Sequence, residues 1–219
     1  MNSPTIQLLV LAGIAVFLIL KLKGVLGTRE GFEKPPEQKI QAPKNPRPHL
    51  EVIEGGMDRD ITDHVKEGSA VATALGAMKE ADPTFSVSEF LQGARGAYEM
   101  ILMGFERGDM LSIKPFLSKE VFETFSEVVD EREKQGLSIE AEFIGVREIK
   151  LTKAKFLKTK NTGEVTVRFI GELSSVVRDK NGKVIEGSSG QSKKQKDSWT
   201  FARTMDSNDP NWTLVATGE

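Results

Sequence analysis

The sequence predicts an α+β domain, with helices packed on one face of a curved antiparallel sheet, preceded by a single transmembrane helix. Three observations carry that expectation. Apolar residues recur at helical spacing up to Gly136 and at period two after it. An Asn181-Gly182 pair punctuates the second half, as a β-hairpin requires. The chain also opens on an apolar run, Ile6 to Leu20, in which Gln7 is the only strongly polar side chain.

Residues 1–27 read as the membrane anchor. Leu22, Val25 and Leu26 extend the run past Lys21 and Lys23, whose stems can snorkel and lengthen a stretch short of the roughly 20 residues a spanning helix needs. Pro4 suits a first helical turn, where its missing N–H costs least. No basic residue precedes the run, Lys21, Lys23 and Arg29 follow it, and no small-residue cleavage pattern closes it. An uncleaved single-pass anchor is therefore expected, with Ile6, Leu9, Phe17 and Leu20 in lipid and Lys21 and Lys23 at the boundary. By the positive-inside rule the C-terminal bulk then lies on the cytoplasmic side. In residues 28–57 Pro35, Pro36, Pro43, Pro46 and Pro48 alternate with polar residues, a composition expected to form a disordered tether.

Residues 58–81 read as a weak amphipathic helix. Ile61, Val65, Ala72, Leu75 and Met78 give it a thin apolar stripe that Gly68 and Gly76 weaken. Asp58, Asp60 and Asp63 suit a helix N-terminus better than a metal site, because no second cluster of oxygen ligands accompanies them. Asp60 and His64 are spaced to pair on one helix face.

Residues 82–219 form the main domain. Ser86-Val87-Ser88-Glu89 is a capping box, and Phe90, Leu91, Ala94, Ala97, Tyr98, Ile101, Leu102 and Phe105 continue from it at helical spacing to a stop at Gly108. Asp109 caps a short turn that Pro115 closes. Ser118 caps a third helix with Val121, Phe122, Phe125, Val128 and Val129 on its apolar face, and Gly136 ends it. Ile139, Ala141 and Phe143 then alternate with polar residues, and after a bulge at Gly145 the alternation resumes through Ile149 and Leu151. Val165, Val167 and Phe169 begin a second strand, running to Val177. Asp179 to Lys183 is read as a hairpin with a type I′ turn at Asn-Gly. Trp199 and Phe201 mark a third strand, and Trp212, Leu214 and Ala216 the last. Lys193, Lys194 and Lys196 fit the solvated part of an edge strand.

Composition narrows the chemistry. With 38% hydrophobic residues the chain can bury a core, and a net charge of -2 gives no basic field for nucleic acid. There is no cysteine, and the only histidines are His49 and His64, so residues 85–219 contain neither. A Ser–His–Asp triad, a Cys–His pair and a histidine or thiolate metal site are thus not expected in the main domain. No phosphate-binding glycine loop follows a strand, and Gly93, Gly96 and Gly104 fit close helix packing. Carboxylates are abundant, but no spacing singles out a pair. The expectation is a non-catalytic binding protein with no cofactor and no metal. Its candidate site is apolar: Phe90, Ala94, Tyr98, Ile101, Phe105, Phe122, Phe125, Phe143, Phe169, Trp199 and Phe201 are compatible both with a packed core and with a concave pocket at the open end of the sheet.

The stretches Asp82-Pro83-Thr84-Phe85-Ser86, Phe90-Leu91-Gln92-Gly93-Ala94-Arg95, Ala97-Tyr98-Glu99-Met100-Ile101, Gly108-Asp109 and Leu117-Ser118 resemble the helical start of the Tim44-like domain family. Trp199-Thr200-Phe201 and Asp209-Pro210-Asn211-Trp212-Thr213-Leu214-Val215 are similar to its last two strands. The anchor followed by Leu26-Gly27-Thr28-Arg29-Glu30-Gly31-Phe32-Glu33 looks like the bacterial TimA group. The resemblance implies a cone-like fold related to the nuclear transport factor two superfamily, with an apolar pocket lined by the Phe90-to-Phe105 face. It implies a membrane adaptor at the cytoplasmic face of a bacterial inner membrane that binds a protein partner or apolar segment. The alternative is a domain that holds a lipid or small apolar ligand without a protein partner. The mitochondrial relatives recruit a chaperone through a long segment before the domain. Only the short proline-rich stretch stands there in this chain, and Asp58, Asp60, Asp63, Glu67 and Glu80 outnumber the nearby cations, which disfavours tight anionic-lipid contact by the helix at Ile61–Met78.

Overall fold

A computed structural model describes residues 58–218. The anchor residues Ile6, Leu9, Phe17, Leu20, Lys21 and Lys23 and the tether at 28–57 lie outside the described residues. Among the described residues no helix is long and apolar enough to cross a membrane. Among the described residues five α-helices precede four strands: α1 (Arg59–Thr62), α2 (Ala70–Ala81), α3 (Val87–Glu106), α4 (Met110–Ile113), α5 (Lys119–Lys134), β1 (Ser138–Leu157), β2 (Thr162–Arg178), β3 (Val184–Thr204) and β4 (Thr213–Gly218). The strands form one antiparallel sheet in sequential order, and bulges after Phe143, Val146 and Leu151 bend β1. This is the expected α+β order, helices against a curved antiparallel sheet.

The inner face of the sheet follows from alternation. Val165, Val167, Phe169, Gly171 and Leu173 of β2 are buried, and across the register Leu151, Val167 and Trp199 form one row and Ala154, Val165, Phe201 and Leu214 another. Each large side chain fully buried in this way contributes roughly 1.5–3 kcal/mol. The long helix α3 lies on this face through Phe90, Ala94, Tyr98 and Ile101, all buried. Tyr98 stacks on Phe169 at 4.4 Å with a 10° tilt, and its hydroxyl donates to Asp197 Oδ2 at 2.6 Å. Gly171 makes room for that ring, since a Cβ there would stand 2.6 Å from the Tyr98 hydroxyl.

Two local expectations are corrected. The single helix over 58–81 is two helices: Gly68 adopts φ +70° and the Ser69 hydroxyl caps a new start at Ala72 N, 3.1 Å away. The hairpin turn is also not type I′, because Gly182 has a positive φ of 77° whereas Asn181 has none. Gly182 N donates to Asp179 O and Asp179 N to Lys183 O, giving a three-residue loop whose left-handed position falls on the glycine.

The capping box forms with a different second partner. Ser86 Oγ accepts from Glu89 N at 3.3 Å, while Asp60 of α1 accepts from Val87 N at 2.7 Å and Ser88 N at 2.9 Å. Lys79 of α2 bridges Asp58 and Asp60, so one carboxylate ties three helices together. Burial pushes the Asp60 carboxyl upward, but hydrogen bonds from Lys79, the Ser88 hydroxyl and two backbone N–H groups outweigh it and hold it far below the usual carboxylate range. Asp60→Ala is expected to cost about 2 kcal/mol, read as a shift in the urea midpoint. A depressed folded-state pKa gives stability that is complete above the ordinary value of 3.8 and is lost as pH falls below it. The penalty of Asp60→Ala should therefore shrink in acid; a penalty unchanged between pH 7 and pH 2.5 would contradict this linkage.

Candidate functional site

The face of α3 that turns away from the sheet centre opens on a groove of about 600 Å³. Small residues of the helix, Gly93, Ala94, Gly96 and Ala97, form its floor, and Met100, 39% exposed, stands at the far end. Phe85, Phe90, Phe201 and Trp212 form an aromatic wall, with Phe116 beside them. The wall is continuous: Trp212 meets Phe90 at 4.6 Å and Phe85 at 5.6 Å, and Phe90 meets Phe201 edge-on at 6.1 Å. Such pairs are worth about 0.5–1.5 kcal/mol beyond their burial, so the wall is set before any ligand arrives.

The polar rim consists of Thr84, Ser86, Glu89, Arg203 and Asn211. Arg203 lies over the Trp212 ring at 5.3 Å and is paired with Asp82, which is 4% exposed. The Asp82 carboxyl is held below its ordinary value, first by the Thr84 hydroxyl and then, against the opposing effect of burial, by backbone N–H groups and Arg203. This pair fixes the loop before α3 to β3 and so sets the angle of the Trp212 wall.

The sequence-predicted pocket residues separate into three groups. Phe90, Ala94 and Phe201 line the groove. Tyr98, Ile101, Phe169 and Trp199 are 0–4% exposed and fill the space between α3 and the sheet, with Phe143 packed against Tyr98 at its margin. Phe105, Phe122 and Phe125 lie toward α5, where Phe105 meets Phe125 at 4.6 Å, Arg132 covers Phe105 and Lys114 covers Phe122. Groove members outside the predicted pocket set include Phe85, Gly93, Gly96, Met100, Phe116 and Arg203, together with Trp212, which alternation assigns to the last strand. Of the three glycines of α3, Gly104 alone is closely packed, with Ile113 Cγ2 only 2.3 Å from an added Cβ; Gly93 and Gly96 face open space.

Among the described residues Glu89 is the only carboxylate on the groove's lining. The carboxyl that burial pushes upward, Glu106, belongs to the end of α3 beside Arg132 and is not part of the lining. His64 does reach the main domain, with Nε2 3.0 Å from Ser88 Oγ, while that hydroxyl donates to Asp60 at 2.6 Å. The serine thus stands between acid and histidine. A nucleophilic triad needs the histidine in the middle, so this trio caps α3 and does not activate a serine. The expected Asp60–His64 helical pair is absent because α1 ends at Thr62. Among the described residues no group of three His, Asp or Glu side chains is placed to hold a metal ion.

A second depression, about 670 Å³, is lined by Ala70, Val71, Ala154, Val215 and Ala216 with Lys153, Lys155, Glu164, Thr166 and Thr200. It carries no aromatic side chain, and Thr166 and Thr200 satisfy each other at 2.9 Å. The aromatic groove is the stronger candidate on chemistry.

The chain is 21% identical over 129 residues to the mitochondrial import inner membrane translocase subunit TIM44-1 of Arabidopsis thaliana. The match takes in 59% of this chain and 27% of that protein, so the chain spans about a quarter of its relative's length. Among solved structures, the intermembrane space region of the chloroplast protein ARC6 is 8% identical with a TM-score of 0.40, over 58% of this chain and 94% of that one. A de novo designed β-sheet protein is 16% identical with a TM-score of 0.28, over 59% of this chain and 86% of the design. Residues 71–219, from α2 through the last strand, match the model of the Tim44-like domain. The chain belongs to the Tim44-like domain family.

Proposed function

We propose that this chain is a non-catalytic adaptor that holds a protein partner by an apolar segment in the groove between α3 and the Trp212 wall. The observation that carries the reading is the groove itself: preformed aromatic sides, a floor of glycine and alanine open to a second backbone, and a thin polar rim. Open glycines let an incoming chain approach the helix closely. The translocase subunit to which the chain is related adds the setting, protein transport at a membrane. In this reading the apolar run at Ile6–Leu20 anchors the domain as a single-pass protein at the cytoplasmic face of a bacterial inner membrane, as in the TimA group. Anchoring raises the local concentration of the domain near membrane clients. The reading also takes the domain as a cone-like relative of the nuclear transport factor two superfamily.

The test uses the full-length chain in mild detergent. Gly93→Trp fills the groove from a position with open space around its Cβ, so the fold should be kept. Recovery of co-purifying protein is expected to fall about tenfold, equivalent to about 1.4 kcal/mol, with an unchanged unfolding midpoint. Equal recovery from both chains would contradict the adaptor reading. The groove volume also falls in the range of about 300–1,000 Å³ that small ligands occupy, which keeps the lipid-binding alternative in play. Native mass spectrometry of the same samples separates the two: a lipid retained by the wild type, lost in Gly93→Trp and accompanied by no protein would favour that alternative.

A further inference from the structure

We propose that the open edge of β3 at residues 192–197 takes an acidic extended segment of a partner protein as an added strand. This does not rest on the groove reading, since no residue of 192–197 lines the groove. β4 pairs with β3 from Ser198 to Ala202, and Gly218 stands opposite Ser198. Past that point no strand lies beside β3 on this side among the described residues. On the other side the same stretch pairs with β2, from Ser192 opposite Ser174 to Asp197 opposite Phe169. Before Ser192 the register jumps, and Gly187 and Gly190 adopt φ of 77° and 83°, so the regular edge begins at Ser192. It offers about 20 Å of strand. Alternate residues of an antiparallel strand turn their N–H and C=O to each side, so half of these backbone groups are left for water or an incoming chain. β3 packs chiefly along β2 and β4, and Ser192, Lys193, Lys194 and Lys196 are exposed.

Charge decides which chain fits. Trp199 and Phe201 are buried on the inner face, so alternation turns Lys194 and Lys196 to the outer one. The inward charges are already taken. Asp197 accepts from the Tyr98 hydroxyl at 2.6 Å and from Gln195 Nε2 at 3.1 Å, and Lys193 pairs with Glu186 at 3.5 Å. Glu172, opposite Lys194, already accepts from Ser192 Oγ and Arg147. Lys196 stands opposite Ile170 and makes no ion pair among the described residues. Two cations thus lie two residues apart on one face, about 7 Å. Carboxylates at alternate positions of a neighbouring strand recur at the same interval, and opposite charges across strands stabilise the pair. A second copy pairing through this edge would set lysine against lysine, which destabilises it. The lysines therefore keep identical chains apart and select an acidic strand.

The test uses the full-length chain in mild detergent and a short labelled peptide of alternating Glu and Thr, followed by fluorescence anisotropy. The peptide is expected to bind, and amide exchange at 192–197 should slow when it does. Lys194→Glu with Lys196→Glu should weaken binding about tenfold, and a peptide of alternating Lys and Thr should bind that variant in its place. Methylating alternate backbone nitrogens of the acidic peptide keeps its charge and removes strand pairing, and should also cost about tenfold. Absence of binding overturns the proposal, as does an affinity that either change leaves intact. Displacement of the peptide by an equal concentration of glycerol phosphate overturns it in favour of a phosphate headgroup. Self-association of the wild type through this edge overturns it in favour of a second copy. Gly93→Trp should leave the peptide bound, which separates this site from the groove. If the peptide fails and Gly93→Trp still loses the partner, the adaptor stands without this edge; if the peptide binds and no partner is recovered, the edge stands without the adaptor.

Discussion

Asp82→Ala is expected to lower the stability of the domain by about 3–5 kcal/mol, the range for breaking a buried ion pair from one side. Asp82 is 4% exposed and accepts from Thr84 N at 3.0 Å, Thr84 Oγ1 at 2.6 Å and the Arg203 guanidinium. Removing it strands a cation whose side chain is 11% exposed and whose Nε already has no hydrogen-bond partner in the structure. The cost comes from the desolvated charge left behind, so a second substitution should relieve it. Asp82→Ala with Arg203→Met is expected to be more stable than Asp82→Ala alone, as measured by urea unfolding at pH 7. A double variant as unstable as the sum of the single losses would place the effect in packing. The same substitution should loosen the groove: without Asp82, Arg203 no longer holds its position over Trp212, and tryptophan emission should shift to the red.

The second large effect is at Tyr98. Tyr98→Ala removes a fully buried ring in contact with Phe143, Phe169 and Trp199 and should cost about 3–5 kcal/mol. Tyr98→Phe keeps the ring and loses the bond to Asp197, for about 1–2 kcal/mol. Burial, followed by the bond to the Asp197 carboxylate, pushes the Tyr98 hydroxyl far above its ordinary pKa, so it remains a donor throughout the accessible pH range. Gly171 gives the cross-check. Gly171→Ala drives a methyl toward the hydroxyl and ring edge, and its penalty should fall by about 1 kcal/mol in a Tyr98→Phe background. Strictly additive losses would show that the ring and the glycine are not in the contact described.

What the sequence disclosed, and what it hid, follows from the range of the forces involved. The capping serines at 86 and 118, the stops at Gly108 and Gly136 and the bulge at Gly145 depend on local backbone demands and were legible. The start of β3 was not. Residues 184–192 are rich in serine and glycine and form a strand because β2 supplies a partner, with no apolar period of their own. Lys193, Lys194 and Lys196, by contrast, do lie in the part of β3 that β4 leaves unpaired, as an edge position predicts. The break at Gly68 was masked by an apolar stripe that both helices share, and the Asp60 cap joins residues far apart in sequence.

The candidate site shows the same division. Aromatic content pointed to a receptacle, and Phe90, Ala94 and Phe201 do line one. Periodicity cannot tell the helix face that meets the sheet from its neighbour 100° away, so Tyr98 and Ile101 were grouped with residues that line the groove. Gly93 and Gly96 carried the missing signal. Two glycines in a stabilising helix cost about 1 kcal/mol each, and no close contact within the domain explains them.

The most direct test of the groove as a partner site is a photo-crosslinking benzoyl-phenylalanine placed at Met100 and, in a separate chain, at exposed Lys150 on β1. In the full-length protein, adducts to a distinct protein should form from position 100, should be lost when Gly93→Trp is added, and should not form from position 150. Equal adducts from both positions, or adducts from position 100 that Gly93→Trp leaves intact, would show that partners are held elsewhere.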